Sequence, residues 1–155
     1  MKNLVVTEMS LPVKLQRFGI LNHLEANDVQ FYIPDGCYSE QPVTSTFSMA
    51  DLALAKQMVN QGKIKVVALN DRQMASVWTL KAGCCSRFLA RTIYAVIYAR
   101  SKGYTLVTED HLLRVIAFQQ FGISISTYES VSVGLLQEVI SSGMSLNIDL
   151  IHDLV

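Results

Sequence analysis

The stretch from Tyr104 to Ile125, YTLVTEDHLLRVIAFQQFGISI, constrains the fold more than any other part of the chain. Its pattern predicts a strand over Tyr104–Val107, a helix that begins after a Thr108 cap and a second strand over Ile123–Ser126. A strand, a helix and a second strand in this order form a βαβ unit, which places the two strands parallel in one sheet.

Asp110 lies where the first of these strands ends. In open α/β sheets, ligands bind in the crevice at the carboxyl ends of the strands, so a carboxylate here is a candidate binding residue. An acid in the first turn of a helix also suits the helix dipole, so Asp110 is a candidate helix cap as well. Taken alone, the stretch favours the cap over the binding role.

Elsewhere, β-prone runs alternate with helix-prone runs. The predicted strands are Leu4–Val6, Val29–Ile33 and Ile64–Leu69. The first predicted helical segment runs from Ser10 past Gly19 to Leu24, as one kinked or two short helices, and Cys37–Gln41 is predicted as a turn or short helix. The next helix begins at the Ser48 and Asp51 capping box and ends at Gly62. Further helices are predicted over Ser86–Lys102, over Val131–Ile140 and from Ser145. The pattern from Asn70 to Gly83 is weak and predicts no element.

This alternation predicts an α/β fold in one domain over residues 1–155, with a central, mostly parallel sheet of four to five strands and helices on both faces. The Ser86–Lys102 helix is apolar around most of its circumference, and the chain is only 17% charged, below the usual value of about 25%. We therefore predict a homodimer with this helix at or near the interface. The alternative is that the helix is simply central in the fold.

Composition limits the possible partners. Thirteen basic and thirteen acidic residues cancel, so the chain lacks the broad positive field of most nucleic-acid binders, and any RNA contact must be local or bridged by metal. No run is long enough to span a bilayer, which needs about 20 apolar residues, and the first residues lead us to expect no signal peptide. Three cysteines without disulfide or zinc spacing predict a reducing, cytoplasmic location. Isolated glycines and scattered histidines argue against ATP, NAD or zinc sites.

Three segments, VVTEMSLPVKLQRFGILNHL, YIPDGCYSE and LVTEDHLLRVIAFQQFGISI, are similar to PIN domains, the metal-dependent nuclease fold of toxin–antitoxin ribonucleases. The residues that match the family motifs are Glu8 and Ser10 after the first strand, Ile33, Pro34 and Glu40 after the second, and Thr108, Glu109 and Asp110 in the T-x-D turn, followed by Arg114. The resemblance covers nearly the whole chain.

The resemblance implies a ribonuclease that binds Mg²⁺ or Mn²⁺ through three catalytic carboxylates, those of Glu8, Glu40 and Asp110, and cleaves single-stranded RNA. It also implies an antitoxin-like protein partner. The implied supporting residues are Ser10 and Thr108 as hydrogen-bond donors to the carboxylates, Thr92 beside the site, and His111 and Arg114 as substrate contacts.

Two positions depart from the family pattern. Glu8 stands where Asp is usual, and Thr92 stands where a further acid is expected. A neutral residue in the carboxylate cluster lowers its affinity for a cation. The alternative is therefore a catalytically degenerate PIN-like module that acts by binding protein or RNA. A receiver-like signalling domain is a third possibility, but Glu8 lacks the acidic neighbour that such domains require.

Overall fold

The computed structural model of the protein describes residues 2–21 and 28–141. Within them lies a five-stranded, all-parallel sheet of order β3-β2-β1-β4-β5. The strands are β1 (Lys2–Val6), β2 (Val29–Pro34), β3 (Ile64–Val67), β4 (Thr105–Val107) and β5 (Ile125–Ser126). The predicted parallel sheet is confirmed.

The central strand is β1, in which Val5 is paired with Tyr32 of β2 on one side and with Leu106 of β4 on the other. The chain builds outward from β1 to β3 and then returns to add β4 and β5 at the opposite edge. The strand order therefore reverses between β1 and β4. This reversal is the position at which open α/β sheets form a crevice for ligands.

Helices cover both faces of the sheet. They are α1 (Ser10–Arg17), α2 (Asp35–Ser39), α3 (Met49–Asn60), α4 (Asp71–Ala82), α5 (Ala90–Lys102), α6 (His111–Phe121) and α7 (Tyr128–Ser141). Side chains alternate across a strand, so Leu4 and Val6 belong to a core shared with α1, α3 and α7, whereas Val5 belongs to a core shared with α4, α5 and α6. This is the predicted three-layer α/β/α architecture.

The helix ends predicted from local signals are confirmed in three places. The Ser48 hydroxyl accepts a hydrogen bond from the Asp51 N–H at 3.2 Å, and the Asp51 carboxylate accepts one from the Ser48 N–H at 2.8 Å. Gly103 and Gly122 end α5 and α6 with φ values of 70° and 62°, a region that glycine enters without steric cost.

Two predictions about helices need correction, and one helix lies where none is predicted. The segment without a prediction is α4, opened by a reciprocal capping box between Asn70 and Gln73. Helix α5 begins at Ala90 and not at Ser86, because the residues before it form turns that the Lys81 ammonium holds through backbone carbonyls. The cap of α6 is Asp110, whose carboxylate accepts the Leu113 N–H of the helix, whereas the Thr108 hydroxyl accepts the N–H of Asp110 itself.

Helix α5 is buried within the chain itself, since Ile93, Val96, Ile97 and Tyr98 pack in the core that α4 and α6 share. Intramolecular packing thus accounts for its apolar circumference, while the homodimer stays a prediction. The predicted helix from Ser145 lies outside the described residues, as does Leu24. Among the described residues, no helix combines the length and apolar character needed to cross a bilayer.

Candidate active site

A cavity of about 240 Å³ lies at the carboxyl ends of β1 and β4. Its wall on the strand side consists of residues that directly follow these two strands, together with the first residue of α7: Thr7, Glu8, Thr108, Glu109, Asp110 and Tyr128. Its opposite wall comes from α2, the loop after it and the start of α5: Cys37, Gln41, Pro42, Leu89, Arg91 and Thr92. The cavity therefore occupies the crevice predicted by the strand order.

Glu8 reaches the cavity from the turn between β1 and α1, and two hydroxyl groups orient its carboxylate. Ser10 Oγ donates to Glu8 Oε1 at 2.8 Å, and the Tyr128 hydroxyl donates to the same oxygen at 2.6 Å. Burial raises the pKa of the Tyr128 hydroxyl, and the Glu8 charge raises it further, so the phenol remains a donor. Among the described residues, Oε2 receives no donor and is open to a ligand.

Asp110 caps α6, and its Oδ1 accepts a hydrogen bond from the Leu113 N–H at 2.9 Å. The Asp110 N–H donates to Thr108 Oγ1 at 3.2 Å, and the buried Thr108 donates its own N–H to Ser126 of β5 at 3.1 Å. The Thr108 hydroxyl thus holds the backbone of Asp110, not its carboxylate as predicted. Both roles considered for Asp110 are compatible, because one oxygen caps the helix while the residue lines the cavity.

Glu109 and Tyr128 connect the two strand ends. The Glu109 carboxylate accepts a hydrogen bond from the Tyr128 N–H, while the Tyr128 hydroxyl reaches Glu8. Tyr128 therefore joins the turn after β4 to the turn after β1 through one residue at the start of α7. The relative position of the two acidic turns depends on this contact.

The opposite wall contains no carboxylate. Thr92 is half-buried on the first turn of α5, and beside it the Arg91 guanidinium donates to the Glu40 carbonyl at 3.2 Å. The Cys37 thiol donates to the Arg91 carbonyl at 2.9 Å, and burial raises its pKa to about 12. Cys37 is therefore a neutral packing residue at physiological pH.

Glu40 does not reach the cavity. It is exposed at the carboxyl end of α2, and only its backbone carbonyl takes part in the contact with Arg91. The next residue, Gln41, lines the cavity in its place, and its Oε1 accepts a hydrogen bond from the Met9 N–H at 2.7 Å. The structure therefore brings together Glu8, Asp110 and Thr92 but leaves Glu40 outside.

His111 and Arg114, the predicted substrate contacts, line a neighbouring groove between α6, β5 and α7. The groove adjoins the cavity through the sequence neighbours Asp110 and His111 and through Thr127 and Tyr128. Neither residue lines the cavity itself.

Three acidic residues line the cavity, namely Glu8, Glu109 and Asp110. Within residues 2–21 and 28–141, no three His, Cys, Asp or Glu side chains are grouped to hold a metal ion. Glu8 nevertheless offers a free carboxylate oxygen beside Asp110. Mg²⁺ is commonly held by one or two carboxylates, with water and substrate phosphate completing its octahedron. A two-metal arrangement would need further acids, which the opposite wall lacks.

The sequence matches no protein-family model, and no curated protein matches it significantly. The resemblance to PIN domains therefore rests on the motif positions and on the residues around the cavity. Sequence reasoning missed Tyr128 and Gln41. Tyr128 carries no local signal, because its partner Glu8 is 120 residues away along the chain.

Proposed function

We propose that the protein is a Mg²⁺- or Mn²⁺-dependent ribonuclease of PIN type that cleaves single-stranded RNA in the cytoplasm. The observation that carries the proposal is the meeting of Glu8 and Asp110 in one cavity, at the position where the strand order reverses. Helix capping accounts only for Asp110, and only one of its oxygens serves that purpose, whereas Glu8 caps no described helix.

In this proposal, Glu8 and Asp110 hold the metal ion. The bound ion would supply Lewis-acid activation of water and neutralise charge on the phosphate. Ser10 and Tyr128 fix the Glu8 carboxylate, which matters because glutamate has one more rotatable bond than aspartate. Arg91 lines the opposite wall and supplies the positive charge that a phosphodiester requires there.

The direct test is calorimetric titration with Mn²⁺ alongside cleavage of a fluorogenic single-stranded RNA. We expect weak binding by the wild type, with affinity and cleavage lost in Glu8→Gln and Asp110→Asn. Asparagine is as good a helix cap as aspartate, so Asp110→Asn removes the charge without removing the cap. Glu40→Gln is the matched control, because Glu40 lies outside the cavity. Mn²⁺ affinity that is equal in wild type and Asp110→Asn contradicts the proposal.

The second candidate is a degenerate module that binds RNA or an antitoxin-like protein without cleaving RNA. It is favoured by the absence of acids from the opposite wall, where Thr92 and Gln41 stand instead. The same titration separates the two candidates, because a binding module retains its partner without Mn²⁺ and shows no metal-dependent cleavage. A homodimer is compatible with either candidate, and light scattering at micromolar concentration tests it.

A further inference from the structure

A groove of about 700 Å³ runs beside the cavity between α6, β5 and the start of α7. Its most unusual residue is Phe118, whose ring is 70% exposed on α6. A large aromatic ring that is open to water contributes little to folding, so its position invites a ligand with an apolar face. Arg114 and His111 precede it by four and seven residues, on the same side of the helix.

Arg114 adds a second, independent indication. Its Nε is buried and has no hydrogen-bond acceptor in the described part of the chain. The buried Nε cannot itself reach a ligand, but Arg114 also lines the groove, and the outer N–H groups of a guanidinium suit an anion with several acceptor oxygens, such as a phosphate.

The remaining walls of the groove are polar. They supply four hydroxyl groups and one amide and contain no carboxylate, and their members are Ser124, Ser126, Thr127, Ser130 and Gln119. The apolar residues beside Phe118 are Val115 and Ile125. One aromatic ring within a cationic, hydroxyl-rich groove is the pattern of a site for single-stranded nucleic acid, whereas a docked protein calls for an apolar centre.

We propose that this groove binds single-stranded RNA, with a base stacked on Phe118 and with Arg114 and His111 contacting the phosphates that lead towards Asp110. His111 and Thr127 of the groove are the sequence neighbours of Asp110 and Tyr128, which line the cavity. The inference extends the proposed ribonuclease function. The direction of the RNA strand towards the cavity rests on that function. Binding in the groove itself requires no metal.

The experiment measures fluorescence anisotropy of a labelled oligouridylate of about 12 nucleotides, within the roughly 4 to 16 that single-strand sites cover. It is done in EDTA, so that no metal-dependent cleavage occurs. We expect Phe118→Leu to weaken binding roughly 5-fold to 150-fold, because it removes one base-stacking ring, and Phe118→Trp to preserve binding. Trp78→Leu is the matched control, since Trp78 is 54% exposed on α4, away from the groove.

Arg114→Gln tests the phosphate contact separately. We expect the slope of log affinity against log salt to become shallower by about 0.7, the value for one phosphate contact of a single strand. Phe118→Leu should leave that slope unchanged. An affinity equal to the wild type in Phe118→Leu overturns the proposal.

If RNA binding depends on Phe118 but no metal-dependent cleavage is observed, the proposed ribonuclease function is contradicted and the proposed RNA-binding groove is supported. If the wild type cleaves RNA and Phe118→Leu binds and cleaves RNA equally well, only the proposed groove is contradicted.

Discussion

The two walls of the cavity are built in different ways. The strand-side wall holds charged groups that are already hydrogen-bonded: Glu8 to two hydroxyls, Asp110 to the start of α6, and Glu109 to the start of α7. The wall formed by α2 and α5 is held by packing and by backbone carbonyls, with Cys37 and Arg91 as the main contacts.

This difference explains why the acids lie on one side. A carboxylate after a parallel strand lies near the start of the next helix, where the fold can stabilise its charge whether or not a metal binds. Asp110 and Glu109 accept backbone N–H groups there, and Glu8 accepts two hydroxyl groups instead. Thr92 lies on the first turn of α5, which contains no acid, and the Leu89 cap of this helix makes no side-chain hydrogen bond. The helix therefore forms without a carboxylate at this position. An acid there would serve mainly the site.

The largest expected effect comes from making the two walls alike. Thr92→Asp should tighten Mn²⁺ binding by roughly 10-fold to 100-fold, a range that outer-shell partners alone already reach. The new charge faces the cavity and the start of α5, so thermal stability should be unchanged or raised by up to about 1 kcal/mol.

Calorimetric titration of Thr92→Asp, of the neutral control Thr92→Asn and of Thr92→Asp combined with Asp110→Asn checks this expectation. The gain should appear only in the first variant. An equal gain in Thr92→Asn removes the assignment of Thr92 to the metal site.

The second effect concerns the packing that holds the α2 and α5 wall. A Cβ at Gly36 would lie 2.5 Å from Cε2 of Tyr94, so Gly36→Ala should destabilise the protein by about 1 to 3 kcal/mol. The control is Gly134→Ala in α7, where a Cβ meets nothing within 4 Å and helix propensity should stabilise by about 0.4 to 1 kcal/mol. Urea unfolding of both variants measures the difference, and equal stabilities would show that the ring of Tyr94 yields.

The third effect tests the contact that joins the strand ends. Tyr128→Phe removes one of two donors to Glu8, and we expect a loss of about 1 kcal/mol in stability together with weaker Mn²⁺ binding. Because the pKa of the Tyr128 hydroxyl is raised on folding, its contribution is fully present below the usual tyrosine pKa of about 10 and declines above it. The stability difference between the two proteins should therefore be constant from about pH 7 to 9 and shrink at higher pH.

The smallest effect is expected at Glu40. Its side chain is exposed and outside the cavity, so Glu40→Gln should change neither Mn²⁺ affinity nor stability measurably. A clear loss of metal affinity would mean that the loop after α2 closes over the cavity when metal binds.

The elements with local signals could be predicted from the sequence. Ser48 with Asp51, Gly103 and Gly122 act on neighbouring residues, so the pattern contains the whole interaction. Helix α4 could not be predicted from periodicity, because Val77 is its one buried residue and no periodic apolar pattern results. The capping box of Asn70 and Gln73 is the local signal that could have indicated its start.

The site was harder to predict for the same physical reason. Glu8 and Asp110 follow strands, and parallel neighbours bring their carboxyl ends to one edge. Glu40 was placed by its distance from Pro34, but a short helix intervenes and carries its side chain outward. Tyr128 and Phe118 owe their positions to tertiary packing or to its absence, which no local pattern reveals.

The strand order also has a consequence for how the protein is made. β1 and β2 leave the ribosome early and can pair at once, but the other neighbour of β1 is β4, which begins only at Thr105. Until then β1 is an exposed apolar edge, and Glu8 has neither Asp110 nor Tyr128 beside it. If the protein cleaves RNA, the nascent chain is inactive while it is still on the ribosome, because the active site assembles only after the second half of the domain has folded.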